Sequence, residues 1–276
     1  MTLTINAENT QIIQNNSSTR RLIIIAGDKG GVGKSMFARG LIQTYLDTKQ
    51  RFVGFDANLS DSQLMRFYRQ HCHLEEFPIF KNNAIDRFFD TLNSLTSPKT
   101  EQSGDRPESE SLFLIKFPPY SRMILQSFIE DMNFLETVQA DLDMRVTMVV
   151  VISRLCDSIQ QLIDLNRLCE DKCDYVVVKN LFFGEPEEFT EYTYSPRIEE
   201  IKNQLARSKA SYVDIQMPEL SEDAYYYLDK NNMSFAEGIQ QTGSLAVKGR
   251  ITTWMKKFKQ DIAPAKELLG LGGVRL

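Results

Sequence analysis

Histidine and cysteine are scarce, with two and four in 276 residues, and both histidines fall in one tripeptide, His71-Cys72-His73. The cysteines, at 72, 156, 169 and 173, are too few and too irregularly spaced for a disulfide framework, which points to a reducing cytoplasm. His71-Cys72-His73 with Cys169 and Cys173 is the one metal-like cluster. Its extended tripeptide would point neighbouring side chains apart, and no second paired motif has zinc spacing, so buried cysteine is the expectation. Long apolar runs are also missing. None approaches the ~18–20 residues of a membrane span; the longest, such as 145–152, have the length of strands. The first twenty residues lack the apolar segment of a secretory signal and read as a flexible leader, so export is not expected. Positive charge is not in excess: Lys plus Arg total 32 against 37 acidic residues, a net charge of -5. The whole molecule is therefore no electropositive clamp, and any nucleic-acid surface must be local.

What is present is globular. Hydrophobic residues make up 42% and charged residues 25%, which excludes wholesale disorder and a fibrous repeat. The run 22–26 ends at a glycine-rich turn, and 35–49 then carries Phe37, Leu41, Ile42, Tyr45 and Leu46 at helical spacing. A second strand, 51–55, ends at Asp56 and leads to a helix over 60–70, completing a βαβ unit. Further strands are expected at 77–80, 112–117, 145–152, 175–179 and 212–216, with helices over 158–173 and 197–209 among them. This alternation predicts an α/β fold: a single doubly wound, mostly parallel sheet with helices on both faces. A Ser/Thr/Pro/Gly/Glu-rich segment at about 94–111 reads as a mobile insertion.

Between the first strand and its helix stands Gly27-Asp28-Lys29-Gly30-Gly31-Val32-Gly33-Lys34-Ser35. Glycines let the backbone curl so that successive N–H groups point at phosphate oxygens, and the following helix adds its positive end. Gly27, Gly33, Lys34 and Ser35 satisfy the Gly-x-x-x-x-Gly-Lys-Ser pattern, in which the lysine neutralises phosphate charge and the serine hydroxyl ligates Mg²⁺.

With its extra lysine at 29, Lys-Gly-Gly-Val-Gly-Lys-Ser resembles the deviant Walker A motif of the ParA/MinD ATPases, members of the SIMIBI class of P-loop NTPases. The resemblance extends weakly over about 20–240. It implies that ATP and Mg²⁺ are the cofactors, held by Gly30, Gly31, Val32, Gly33, Lys34, Ser35 and Met36, with Ser35 the metal ligand. Lys29 would reach across a two-fold axis to a partner's nucleotide in a homodimer formed with ATP. Asn180, ending the strand Val176-Val-Val-Lys-Asn180, would contact adenine, with Pro218 in the loop on the other side of the base. Lys29, Asp56 and Asn58 would be the catalytic set.

Two departures from the family bear on turnover. Where ParA-like proteins carry Asp-x-Asp, this chain has Asp56-Ala57-Asn58, and where a Walker B strand ends Asp-x-Pro-Pro, Lys116 precedes Phe117-Pro118-Pro119. Asparagine can hold a water but takes no proton, and lysine repels Mg²⁺ or replaces part of its charge. Slow hydrolysis, or ATP binding without turnover, is the expectation, with Asp56 or Asp61 the acid if the alignment slips.

The segment 241–276 reads as a basic helical tail on a domain spanning 21–240. Leu245, Val247, Ile251, Trp254, Met255 and Phe258 share one helical face, with Lys248, Arg250, Lys256, Lys257 and Lys259 between them. Docking on the domain, nonspecific DNA binding as in ParA proteins, and a MinD-like membrane contact all stay open, the last least favoured. The resemblance implies a switch in plasmid partition or cargo positioning, reset by a ParB-like or adaptor protein and associated with the nucleoid. Its alternative is a non-hydrolysing scaffold in a conjugation or partition complex. An amidotransferase-type synthetase is remote, since no further Cys/His pair exists. Phe88, Phe89 and Tyr225-Tyr226-Tyr227 read as core or half-buried faces.

Overall fold

The computed structural model describes residues 11–12, 20–97 and 110–276. In chain order the elements are β1 (Gln11–Ile12), β2 (Arg20–Ala26), α1 (Lys34–Asp47), β3 (Val53–Asp56), α2 (Gln63–Tyr68), β4 (Leu74–Glu76), α3 (Ala84–Thr96), β5 (Leu112–Lys116), α4 (Arg122–Glu130), α5 (Phe134–Asp141) and β6 (Met144–Ile152). They continue with α6 (Cys156–Cys169), β7 (Asp174–Asn180), α7 (Thr190–Thr193), α8 (Pro196–Ala206), β8 (Tyr212–Met217), α9 (Glu222–Lys230), α10 (Phe235–Gln240) and α11 (Leu245–Ile262). The strands form one sheet in the order β1-β8-β7-β6-β2-β5-β3-β4, and every neighbouring pair is parallel except β1 with β8. The expected α/β class and doubly wound sheet are therefore observed. Most of the leader and of the 94–111 insertion lies outside the described residues.

Side chains alternate across the pleat, so each strand feeds two cores. Leu22, Ile24 and Ala26 of β2 join the cluster under α3, α4, α5, α6 and α8, while Ile23 and Ile25 join that under α1, α2, α9, α10 and α11. Phe88 packs in the first core against Phe55, Phe77, Phe128 and Phe134, as the core reading expects. After β2 the chain moves outward to β3 and β4, returns to β5, then crosses to β6 on the other flank. The carboxyl ends of β2 and β5 therefore lie at the topological switch point, where open α/β sheets bind ligands.

One expectation needs correction. Phe77 to Phe80 is not a strand; the pairing segment is β4, a three-residue edge element with half-exposed side chains that give no alternation to read. Phe77 and Ile79 are instead buried loop residues. The cysteines weighed against a metal reading are dispersed: Cys169 and Cys173 lie in one core and Cys72 packs against the other, and no group of metal-binding side chains occurs among the described residues. Burial pushes the Cys72 thiol up to about 12, far from a thiolate ligand.

The basic C-terminal helix docks on the domain. Val247, Ile251, Trp254, Met255 and Phe258 are buried, and Trp254 and Phe258 stack at a centroid distance of 4.9 Å. Phe258 sits against Gly40 of α1 so closely that a Cβ there would lie 2.7 Å from its ring. The chain past α11 is pinned as well, Tyr45 donating its hydroxyl to Leu269 O at 2.7 Å. Residues 245–271 thus complete the second core.

Phe258→Ala should lower stability by roughly 3–5 kcal/mol, the range for deleting a buried aromatic side chain. Lys257→Ala on the exposed face should stay within about 0.5 kcal/mol. Urea unfolding followed through Trp254, the chain's one tryptophan, measures both.

Candidate functional site

The loop 27–33 leaves β2 and closes where α1 begins at Lys34. Gly33 precedes the helix at φ +107°, and a Cβ there would lie 2.5 Å from Asn180 Nδ2, so conformation and space both require glycine. Asn180, the last residue of β7, is buried and donates Nδ2 to Val32 O at 2.9 Å, while its Oδ1 accepts from Phe182 N at 3.1 Å. The side chain expected to meet an adenine ring thus ties the loop to the end of the sheet.

Above this junction opens a cleft of about 690 Å³ lined by Gly30, Gly31, Gly33, Lys34, Ser35 and Met36, with Asn58, Asp61, Lys116, Asn180 and Pro218 on its other walls. Of the residues the motifs singled out, Val32 and Asp56 lie buried beneath the cleft, 2% and 0% exposed. Pro218 is fixed by its carbonyl, which accepts from Trp254 Nε1 at 2.7 Å, so α11 holds one wall. Asn58 Oδ1 accepts from Ser60 Oγ at 2.9 Å, and Asp61 Oδ2 from Gln63 Nε2 at 2.8 Å.

Arg39, which motif reading missed, also lines the cleft. It is 1% exposed, its guanidinium lies 3.6 Å from the Phe67 ring centroid, and burial lowers its pKa. The signal was its spacing: one helical turn beyond Ser35, it faces the same way.

Lys34 is strained electrostatically. Burial lowers its pKa from 10.5 to about 8; Asp28 opposes the shift and the charge of Lys116 adds to it. Its Nζ donates to Lys29 O at 2.6 Å, so the ammonium sits inside the curl of the loop.

Asp56 and Lys116 form a buried ion pair. The β3–β5 register sets them side by side at the carboxyl ends of the two strands, and Lys116 Nζ lies 3.1 Å from Asp56 Oδ1 with both side chains at most 1% exposed. The same ammonium donates to Ser35 Oγ at 3.4 Å. The remaining capacity of Asp56 goes to backbone: Oδ1 accepts from Asn58 N at 3.2 Å and Oδ2 from Leu64 N at 2.9 Å. Mg²⁺ needs several oxygen ligands at about 2.0–2.1 Å. Here Asp56 is already paired with Lys116 and the Ser35 hydroxyl faces the same cation, so this pair of oxygen groups does not fit the expected ion at Ser35.

Lys29 stands on the opposite side of the loop from Lys34. Its Nζ pairs with Asp157 Oδ2 at 3.0 Å, a contact in which Asp157 is 79% exposed and which contributes at most about 1 kcal/mol. Asp28 is anchored to the turn before α4, its carbonyl accepting from Tyr120 N and its Oδ1 from Arg122 N, both at 3.0 Å. Tyr120, Met123 and Leu155, in the segments that Asp28 and Lys29 contact, are 80%, 77% and 58% exposed. Beside them a second groove, about 850 Å³, runs between α4 and α6.

No family model and no curated protein matches the sequence. Among solved structures, the MinD cell division protein of Aquifex aeolicus is similar at 15% identity and a TM-score of 0.45, covering 86% of this chain and 97% of its own. A Borrelia burgdorferi B31 chain assigned to plasmid partition, bound to AMPPNP, is 15% identical with a TM-score of 0.46, over 90% and 99% of the two chains. An ATP complex of Cyanothece McdA is 12% identical with a TM-score of 0.41, over 92% and 98%.

The pKa of Lys34 sets a pH dependence for any phosphate ligand. Below about 8 the side chain is an ammonium; above it, a proton must be taken up to hold phosphate, so affinity falls as pH rises. Calorimetric titration with ATP from pH 7 to 9.5 should show affinity dropping by up to about tenfold per unit above pH 8. Lys34→Arg should flatten that limb.

Proposed function

We propose that this chain is a ParA/MinD-type P-loop protein that binds ATP in the 27–35 cradle and dimerises on it, acting as a switch that positions or segregates a cargo. The observation that carries this reading is the loop itself: a glycine-locked cradle at the sheet's switch point, with Lys34 curled inside and Lys29 turned away from its own cleft. Lys29 is free to change partners, because an ion pair with a largely exposed carboxylate costs little to exchange. The exposed Tyr120, Met123 and Leu155 around it supply the apolar area a second copy would bury. Asn180 and Pro218 both line the cleft, and in this reading the base of a nucleotide lies against them.

Hydrolysis is slow in this reading. Attack of water on the γ-phosphate needs an oriented nucleophile and charge neutralisation; Asn58 supplies an amide where a carboxylate would accept the proton, and Asp56 is spent on Lys116. That pairing favours the second reading, a nucleotide-binding scaffold without turnover in a partition or conjugation complex.

DNA is the favoured matrix through α11, on which Lys256 and Lys257 are exposed. The patch is smaller than the sequence suggests, since Arg250 pairs with Asp223 and Lys259 with Asp47, each at 2.7 Å. Dimerisation would double it, making affinity depend on ATP and fall steeply with salt. No helix among the described residues is long and apolar enough to cross a membrane.

Size-exclusion chromatography with light scattering should give a monomer with ADP and a dimer with ATP or a nonhydrolysable analogue. Lys29→Ala should remain monomeric while binding ATP within about threefold of the parent, and Lys34→Ala should lose ATP binding. Phosphate release in the same samples separates the readings: slow release abolished by Lys34→Ala supports the switch, and none at all supports the scaffold. Lys256→Glu with Lys257→Glu should weaken ATP-dependent binding of random duplex DNA at least tenfold in fluorescence anisotropy.

A further inference from the structure

We infer that Lys116 is a built-in replacement for the divalent ion, and that the cleft takes a nucleoside triphosphate as the free polyanion rather than as its Mg²⁺ chelate. The inference rests on the triphosphate reading of the cradle and concerns which form of the ligand it selects.

The geometry is set by strand register. Lys116 and Asp56 are direct neighbours on β5 and β3, and both project to the α1 side of the sheet, opposite Phe55 and Ile115 in the other core. Lys116 Nζ therefore stands beside the first turn of α1, 3.1 Å from Asp56 Oδ1 and 3.4 Å from Ser35 Oγ. These are the hydroxyl and the carboxylate that would be the oxygen donors to a divalent ion at the first turn of α1. An ammonium already bridges them.

Its position is not adjustable at low cost. Lys116 is 1% exposed yet reaches the cleft wall, and Asp56 is locked by its own backbone bonds at Asn58 N and Leu64 N. Asp56 and Ser35 take two of the three donors of the ammonium, leaving one, and Lys116, Lys34 and Ser35 line the same cleft. A divalent ion bound on Ser35 Oγ would stand beside a like charge, with Asp56 already paired to that charge and the other carboxylates of the cleft, Asp61, Glu219 and Glu222, on separate segments of its wall. A phosphate oxygen at the same place would meet two ammonium groups, a hydroxyl and the N–H groups at the start of α1.

The ligand is thus recognised by fixed cations, which separates nucleotide binding from the magnesium supply.

Calorimetric titration of the full-length protein with ATP, in EDTA and in excess MgCl₂ at matched ionic strength and pH 7.0, tests the assignment. We expect the affinity in EDTA to equal or exceed that in Mg²⁺; binding at least tenfold tighter with Mg²⁺ overturns it. In Lys116→Met, with the fold checked by circular dichroism, the order should invert: binding in EDTA weakens at least tenfold and Mg²⁺ restores part of the loss, because Asp56 is released. Retention of the parent's metal indifference by a folded Lys116→Met protein also overturns the assignment. Should that variant not fold, the two-buffer comparison on the parent decides alone. ATP binding in neither buffer overturns the nucleotide reading and this inference with it, whereas binding only in Mg²⁺ leaves the reading standing and removes the inference.

Discussion

The hydrogen bond from Asn180 Nδ2 to Val32 O holds together everything proposed for this molecule. It joins the end of β7 to the underside of the glycine loop, and the left-handed Gly33 leaves room for it. With the anchors of Asp28 at Tyr120 N and Arg122 N on the other flank, that tie fixes the curl of the loop around the Lys34 ammonium. Buried polar groups of this kind persist only when satisfied, and here satisfaction and site geometry come from the same bond.

Around this junction the charges are arranged in a division of labour. Lys34 lies inside the loop, Lys116 is tethered to Asp56 at the sheet edge of the cleft, and Lys29 faces outward toward Asp157. Burying the Lys116–Asp56 pair carries a desolvation penalty of several kcal/mol per ion, and well-packed apolar residues often serve stability as well. A role at the cleft gives that pair a reason to exist. The C-terminal helix takes part at one remove: Trp254 holds the Pro218 carbonyl, and Phe258 packs on α1 at Phe37 and Gly40, two and five residues beyond Ser35. A segment that looks like an appendage in sequence therefore buttresses two walls of the site.

How much could be read from sequence followed from how local each signal was. The β2–loop–α1 unit was plain because an apolar run, a fixed glycine spacing and a helical stripe lie within 28 consecutive residues (20–47). The central strands β5, β6, β7 and β8 were legible as apolar runs, being buried on both faces. β4 was misread because three half-exposed edge residues carry no pattern, while the buried loop residues Phe77 and Ile79 imitate one. Helix α3 was read only as an aromatic pair, although Phe88 and Leu92 mark its buried stripe. Sequence showed that Lys116 stands where an aspartate was expected and that Asp56 ends the second strand, but their union depends on the β3–β5 register, a contact across 60 residues. Arg250 and Lys259 counted as basic surface until folding brought Asp223 and Asp47 to them.

The most direct test is a crystal structure of the full chain grown with AMPPNP. The account predicts the triphosphate wrapped by the backbone N–H groups of 30–35, with Lys34 and Lys116 Nζ on its oxygens and Lys29 of each protomer turned to the other's nucleotide. A cradle without nucleotide at saturating ligand, or a nucleotide bound elsewhere in a lone protomer, would contradict it.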